Sequence, residues 1–203
     1  MPNMIIGFVG IPASGKTTIA IKLFCFLKEN GANCEIITEE ARRYIANYRV
    51  SKELNPTDPI SLTDSDQIEI FNKQKAQESL MKQACPKETI IISDSSIYNA
   101  YIYTSDPTFS VIRDTNKWEV KHYDLIFFCH PIINLKNIQQ DSNRIHELAQ
   151  FEALNQRALS ILELIRPHNN VVQLFGTQSL ELRYKDACTD MMGIYSKFLT
   201  GNL

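Results

Sequence analysis

The segment Gly10-Ile11-Pro12-Ala13-Ser14-Gly15-Lys16-Thr17-Thr18 fits the pattern G-x-x-x-x-G-K-[ST] at every fixed position. Ahead of it runs Met4-Ile5-Ile6-Gly7-Phe8-Val9, an apolar stretch of strand length. Behind it, Ile19, Ala20, Leu23, Phe24 and Leu27 recur at helical spacing. The order strand, tight loop, helix is the context this pattern requires. A loop that opens a helix points unpaired backbone N–H groups into a concavity, and the helix dipole adds to their pull on an anion. Gly10 and Gly15 let the backbone turn where a side chain would clash, and Pro12 stiffens the bend. Lys16 can reach β- and γ-phosphates, and the Thr17 hydroxyl can ligate Mg²⁺. Gly10 and Ala13 to Thr18 (that is, Ala13, Ser14, Gly15, Lys16, Thr17 and Thr18) are thus the expected cradle of a nucleoside triphosphate, with ATP and Mg²⁺ as cofactors.

The chain around this motif suits one domain, residues 1–203, large enough for a full α/β core and undivided by any shift in composition. Lys and Arg number 21 against 23 Asp and Glu, a balance that argues against a surface dedicated to coating nucleic acid. The five cysteines, Cys25, Cys34, Cys85, Cys129 and Cys188, lack metal-ligand spacing and read as reduced core residues. No leader or membrane-length apolar run is present, so the expectation is a soluble, cytoplasmic protein without membrane contact.

Further along, Gly31 is a good helix stop and Cys34 to Thr38 reads as a second strand. Glu39 to Ile45 reads as helical, followed by a Pro- and Asn-containing loop from Arg49 to Leu62. Thr63 or Ser65 can cap a helix reaching Ala84, with Ile68, Phe71, Leu80 and Met81 on its apolar side. Thr89 to Asp94, Asp124 to Cys129 and Val171 to Phe175 supply three more strands. Helices are expected over Ser95 to Tyr103, up to about Arg166, and from Leu180 to Phe198; the stretch from Ser105 to Lys121, with Trp118, reads as loop with some helix. Alternating strands and helices predict a five-stranded parallel sheet with helices on both faces, an α/β/α sandwich whose ligands sit at the carboxyl ends of the strands.

Asp94 closes an apolar strand, where a carboxylate can hold Mg²⁺ or merely cap the next segment. Glu39 and Glu40 end the second strand, expected beside the strand that feeds the phosphate loop. A carboxylate there can take the proton of an attacking hydroxyl, or two acids can simply favour a helix dipole. Asp141 and Arg144 fall near the start of the long helix; an arginine there can neutralise transition-state charge or stay solvated. Tyr98 and Tyr101 can stack on a base, or belong to the core.

Four signatures in order resemble those of P-loop nucleoside and nucleotide kinases, and more closely their NadR-like branch of ribosylnicotinamide kinases. These are Gly10 to Thr17, the phosphate loop; Glu39-Glu40-Ala41-Arg42-Arg43-Tyr44, similar to E-x-[GA]-R-x-Y; Asp66-Gln67-Ile68 with Gln74, similar to D-x-I-x5-Q; and Ile92-Ser93-Asp94-Ser95, similar to a Walker B strand with D-[TS]. Asp141-Ser142-Asn143-Arg144 resembles the lid D-G-x-R without its glycine, within a lid region of about 131–146. The resemblance implies a catalytic set of Lys16, Glu39, Asp94 and Arg144, with metal held by Thr17 and Asp94. It further implies a substrate region of about 39–84 using Glu39, Arg42, Asp66 and Gln74, with Tyr98 as a candidate beside them. Gly176 and Arg183 take the place of adenine-side contacts.

The reading that follows is an ATP-dependent kinase acting on a hydroxyl of a small nucleoside- or ribonucleotide-like acceptor. Two alternatives stay open: a kinase of polynucleotide ends or modified DNA bases, and a regulatory NTPase that transfers nothing. Scattered lysines such as Lys73, Lys75, Lys82 and Lys87 do not make a nucleic-acid groove, so nucleic acid is not the favoured partner. A guanine switch is disfavoured because Asn72-Lys73-Gln74-Lys75 lacks the final aspartate of N-K-x-D. Acceptor identity and oligomeric state are left open.

Overall fold

The computed structural model describes residues 2–58, 60–105, 110, 122–132 and 148–199. Five strands, β1 (Met4–Val9), β2 (Cys34–Ile37), β3 (Ile90–Ser93), β4 (Leu125–Cys129) and β5 (Val171–Leu174), form one sheet in the order β2-β3-β1-β4-β5. All four pairings are parallel, with Ile6 of β1 opposite both Ile92 and Leu125. The helices are α1 (Lys16–Glu29), α2 (Glu40–Ser51), α3 (Asp64–Ala84), α4 (Asn99–Tyr103), α5 (Leu148–Ile165) and α6 (Leu180–Leu199).

Alternation along the strands sends successive side chains to opposite faces, and both faces are covered. Ile5, Val9, Ile91, Ile126 and Phe128 pack with Phe71 of α3, Ile102 of α4 and Ile161 and Ile165 of α5. Met4, Ile6, Phe8, Ile90, Ile92 and Phe127 pack on the other side with Ile19, Leu23 and Leu27 of α1 and with Ala187 and Met191 of α6. The central strand β1 is buried throughout. Each large apolar side chain so removed from water contributes roughly 1.5–3 kcal/mol. The expected α/β/α sandwich is therefore what the chain forms.

Two expectations are corrected. The second strand does not lie beside β1, because β3 is inserted between them. Sequence order cannot reveal this, since a parallel crossover can skip a position that a later strand fills. The helix after β2 also runs on to Ser51 instead of giving way to loop at Arg49. Arg49 turns back on the following segment instead, donating to the carbonyls of Pro56 and Asp58. At the start of α3, Thr63 is the cap, and Asp66 closes a capping box with it. All five cysteines are free thiols; Cys34 and Cys129 are core residues, whereas Cys25 is exposed. The 105–121 segment with Trp118 lies almost entirely outside the described residues. No described helix is long and apolar enough to cross a membrane.

Candidate active site

The loop between β1 and α1 has the backbone its sequence demands. Gly15, the residue that opens α1, sits at φ 83°, and a Cβ on Gly10 would lie 2.4 Å from the Cys129 carbonyl oxygen. Ala13 also adopts a left-handed φ of 57°, a strained conformation for alanine held by the turn around it. The Lys16 ammonium donates to the carbonyls of Gly10 (2.7 Å) and Ile11 (2.9 Å), so the side chain folds over the loop. Ser14 is buried and its Oγ has no hydrogen-bond partner, whereas Thr18 is exposed on the first turn of α1. A buried hydroxyl without a partner inside a ring of helix N–H groups suits an anion.

Asp94 follows β3 directly, and its backbone N–H donates to the Ile37 carbonyl, tying the ends of β2 and β3 together. Its Oδ2 accepts a bond from the Thr17 hydroxyl at 2.9 Å, while its Oδ1 is buried with no partner. Burial pushes the Asp94 carboxyl above the usual carboxylate range; the Thr17 bond opposes this, Glu39 adds to it, and Lys16 and Arg42 pull it down. A buried carboxylate with one oxygen on the loop threonine and one oxygen unsatisfied is a donor set that fits Mg²⁺. Among the described residues no cluster of three His, Cys, Asp or Glu exists that would hold a metal by protein ligands alone.

Glu39 is the residue that leads into α2, yet its side chain makes no capping bond. It is 7% exposed and accepts from Arg42 Nε at 2.9 Å. Glu40 is paired instead with Arg43, one turn along the same helix. β2, which leads into Glu39, pairs with β3, which leads into Asp94, and Glu39, Lys16 and Arg42 all lie near enough to act on the Asp94 carboxyl.

Other candidates fall differently. Gln74 is buried, and both ends of its amide are occupied: Oε1 accepts from Glu40 N (3.1 Å), and Nε2 donates to Glu78 Oε1 (3.1 Å) and Ser93 Oγ (3.0 Å). These bonds tie Gln74 to α2, α3 and the end of β3. Asp66 spends its carboxylate on Thr63 and on the Tyr44 hydroxyl (2.6 Å) at the start of α3. Tyr98 and Tyr101 are core residues, packed edge-on against Tyr123 and tilted against Phe71 respectively, with centroids 5.4 Å apart in each case. The suggestion that Tyr98 stacks on a base is therefore corrected: the residue stands directly before α4 and is 1% exposed, its ring spent on the core. Arg144 lies outside the described residues, as does most of the 131–146 lid region.

Gly176 abuts the Pro131 carbonyl, where any Cβ would collide, so the loops after β4 and β5 are pressed together. Arg183 is fully buried, with Nη2 donating to the carbonyls of His130 and Leu174, 3.1 Å each. Its Nη1, which has no acceptor, lies 3.6 Å from the point a Gly15 Cβ would occupy. Burial lowers the Arg183 pKa and pushes the nearby Cys129 thiol up to about 11.

Several residues of this region carried no sequence signal. Asn99 accepts from Gly10 N (3.0 Å) and donates to Phe8 O and Ser95 Oγ (2.9 Å each), pinning the loop entrance to the segment after β3. His130 and Phe175 stack at 4.9 Å between the loops that flank Arg183, and Phe175 is half exposed. A buried asparagine and an aromatic pair from separate strand ends have no local pattern that announces them.

The AAA domain family matches residues 5–179. A thymidylate kinase of Maridesulfovibrio salexigens is 29% identical over 170 residues, covering 74% of both chains. A probable thymidylate kinase of Sulfurisphaera tokodaii is 29% identical over 184 residues, covering 85% of this chain and 87% of its own. Among solved structures, deoxyadenosine kinase from M. mycoides superposes with a TM-score of 0.65 at 14% identity, over 94% of this chain and 100% of that one. NadR protein in complex with NAD and AMP-PNP gives 0.65 at 15% identity, over 96% of this chain and half of that one. The chain belongs to the AAA domain family and has the fold of the P-loop nucleoside and nucleotide kinases.

Proposed function

We propose that the protein is an ATP-dependent kinase that transfers the γ-phosphoryl group to a hydroxyl of a small nucleoside- or nucleotide-like acceptor. The observation that carries this reading is the Thr17–Asp94 hydrogen bond beside the loop, a hydroxyl–carboxylate pair suited to Mg²⁺, with a second carboxylate, Glu39, and the buried Lys16 near enough to act on the Asp94 carboxyl. A regulatory NTPase needs the first pair; the second carboxylate, oriented by Arg42 and free of capping duty, is what an acceptor hydroxyl needs.

When bound, Mg²⁺ would neutralise charge on the β- and γ-phosphates. Thr17 and Asp94 Oδ1 are the groups that would hold it. The backbone N–H groups from Ala13 to Thr18 cradle the phosphates, and Lys16 exchanges its loop carbonyls for phosphate oxygens. Glu39 orients the acceptor hydroxyl and takes its proton as the new O–P bond forms and the bond to the β-phosphate oxygen breaks, releasing ADP. Placement and charge stabilisation supply most of the rate.

The thymidylate kinase relatives favour a second acceptor type, the phosphate of a nucleoside monophosphate. Arg42 and Arg43 are each paired with a carboxylate through one nitrogen, Glu39 and Glu40 respectively, and their other donors are the groups a second phosphate would meet. The deciding experiment is incubation with ATP and a mixed panel read by mass: nucleosides, nicotinamide riboside, nicotinamide mononucleotide and deoxynucleoside monophosphates. A phosphorylated nucleoside supports the first reading, and a diphosphate formed from a monophosphate supports the second. ADP without any phosphorylated acceptor overturns both in favour of a regulatory NTPase. Oligonucleotide affinity that falls steeply with salt would move the acceptor to a DNA end.

A further inference from the structure

We propose that Glu78 is a positioning residue: through Gln74 and Ser93 it locks the Glu39–Glu40 turn to the strand end that carries Asp94. This rests on the kinase reading, because what the lock holds fixed is the spacing of the two carboxylates.

Glu78 lies on α3 and is fully buried, a costly place for a carboxylate. Four side chains converge on it. Ser93 Oγ (2.6 Å), Gln74 Nε2 (3.1 Å) and the Tyr123 hydroxyl (2.9 Å) bond Oε1; the same hydroxyl (2.9 Å) and His122 Nε2 (2.8 Å) bond Oε2. The Tyr123 oxygen also accepts from Ile97 N at 2.7 Å, which extends the network to the segment after β3.

The network ends one residue from each proposed catalytic carboxylate. Ser93 immediately precedes Asp94. Gln74, one helical turn before Glu78, takes the Glu40 backbone N–H, an otherwise unpaired donor of the first turn of α2, directly after Glu39. The strands contribute one further tie between these two points, the Asp94 N–H on the Ile37 carbonyl. Stability is a poor reason for such a construction, because a well-packed apolar cluster of similar volume is often at least as stable as a buried ionic one. A fully satisfied polar network does, however, fix a single geometry. Two carboxylates that must face the same phosphoryl group need a fixed geometry, and an error of about 1 Å in such placement costs on the order of 100-fold in rate.

The test uses the full chain with Glu78→Gln, Gln74→Met and Ser93→Ala. Glu78→Gln turns one accepting oxygen into a donor that faces donors. Gln74→Met keeps the volume but cuts the link to Glu40. Steady-state rates with the acceptor found in the panel, Mg·ATP affinity by calorimetry and amide exchange at Glu40 are measured for each. Expected for Glu78→Gln and Gln74→Met is a kcat lower by roughly 10- to 100-fold, with KM for ATP within about two-fold of the parent. Ser93→Ala shows the smaller loss. The Glu40 amide exchanges faster in Gln74→Met while the β1 amides keep their protection. An unchanged kcat, or a kcat that falls only in step with ATP affinity and folded fraction, overturns the proposal. If Glu78→Gln does not fold, Gln74→Met decides. If the parent protein phosphorylates nothing, the kinase reading fails by itself, and unchanged Glu40 exchange in Gln74→Met would separately overturn the lock.

Discussion

The Thr17 hydroxyl donates to Asp94 Oδ2 over 2.9 Å, joining the first turn of α1 to the end of β3 across 77 residues of chain. Asp94→Asn preserves an acceptor for Thr17 but removes the charge on which the proposed Mg²⁺ site depends. Phosphoryl transfer is expected to fall at least about 100-fold, with the Mg²⁺ dependence of ATP binding flattened. Calorimetric titration of ATP with and without Mg²⁺ checks this, and a chelator should stop transfer by the parent protein.

Lys16 is held by two loop carbonyls, so its loss removes two internal bonds together with the proposed phosphate contact. Lys16→Ala is expected to abolish measurable transfer, a loss of roughly 1,000-fold or more, with the helical circular dichroism retained. Unchanged turnover would remove the loop from the mechanism.

Glu39 makes no helix cap, and its carboxylate accepts from Arg42 of α2. Glu39→Gln should lower kcat by about 100- to 10,000-fold while leaving ATP affinity near that of the parent. A loss of thermal stability without a selective loss of kcat would mark a structural role instead.

Asp66 is held below its ordinary carboxyl value of 3.8, chiefly by the Thr63 hydroxyl and then by Tyr44. A depressed pKa means the folded state favours the charged form. Its contribution is therefore complete above the unfolded value and is lost as pH falls through the folded one. Asp66→Asn should cost about 0.5–1 kcal/mol at neutral pH, a small figure because the pair is open to water. The gap in melting temperature between parent and variant should close as the pH falls below about 4.

Arg144 sits in the segment that resembles a kinase lid. Arg144→Ala should reduce kcat by about 1,000-fold without changing ATP affinity comparably. A rate equal to that of the parent would withdraw Arg144 from the site.

The phosphate loop, the strand that feeds it and the helix that leaves it were legible in the sequence because their chemistry is made by consecutive residues. Backbone N–H groups, a lysine and a threonine at fixed spacing need only a local turn to converge. The five strands were legible too, since parallel strands covered on both faces read as unbroken apolar runs. Strand order was not, because a crossover can skip a position, and the insertion of β3 beside β1 is what sets Asp94 against Thr17. Nor could sequence tell that the Gln74 amide is consumed by Glu40, Glu78 and Ser93, or that Tyr98 is core: those partners lie from 4 to 34 residues away from Gln74 along the chain. Consecutive residues determined the loop and the helix it opens; only the packing of α2 and α3 against the strand ends decided which polar side chains bond one another, because hydrogen-bond saturation is a property of the assembled neighbourhood and leaves no periodicity in the chain.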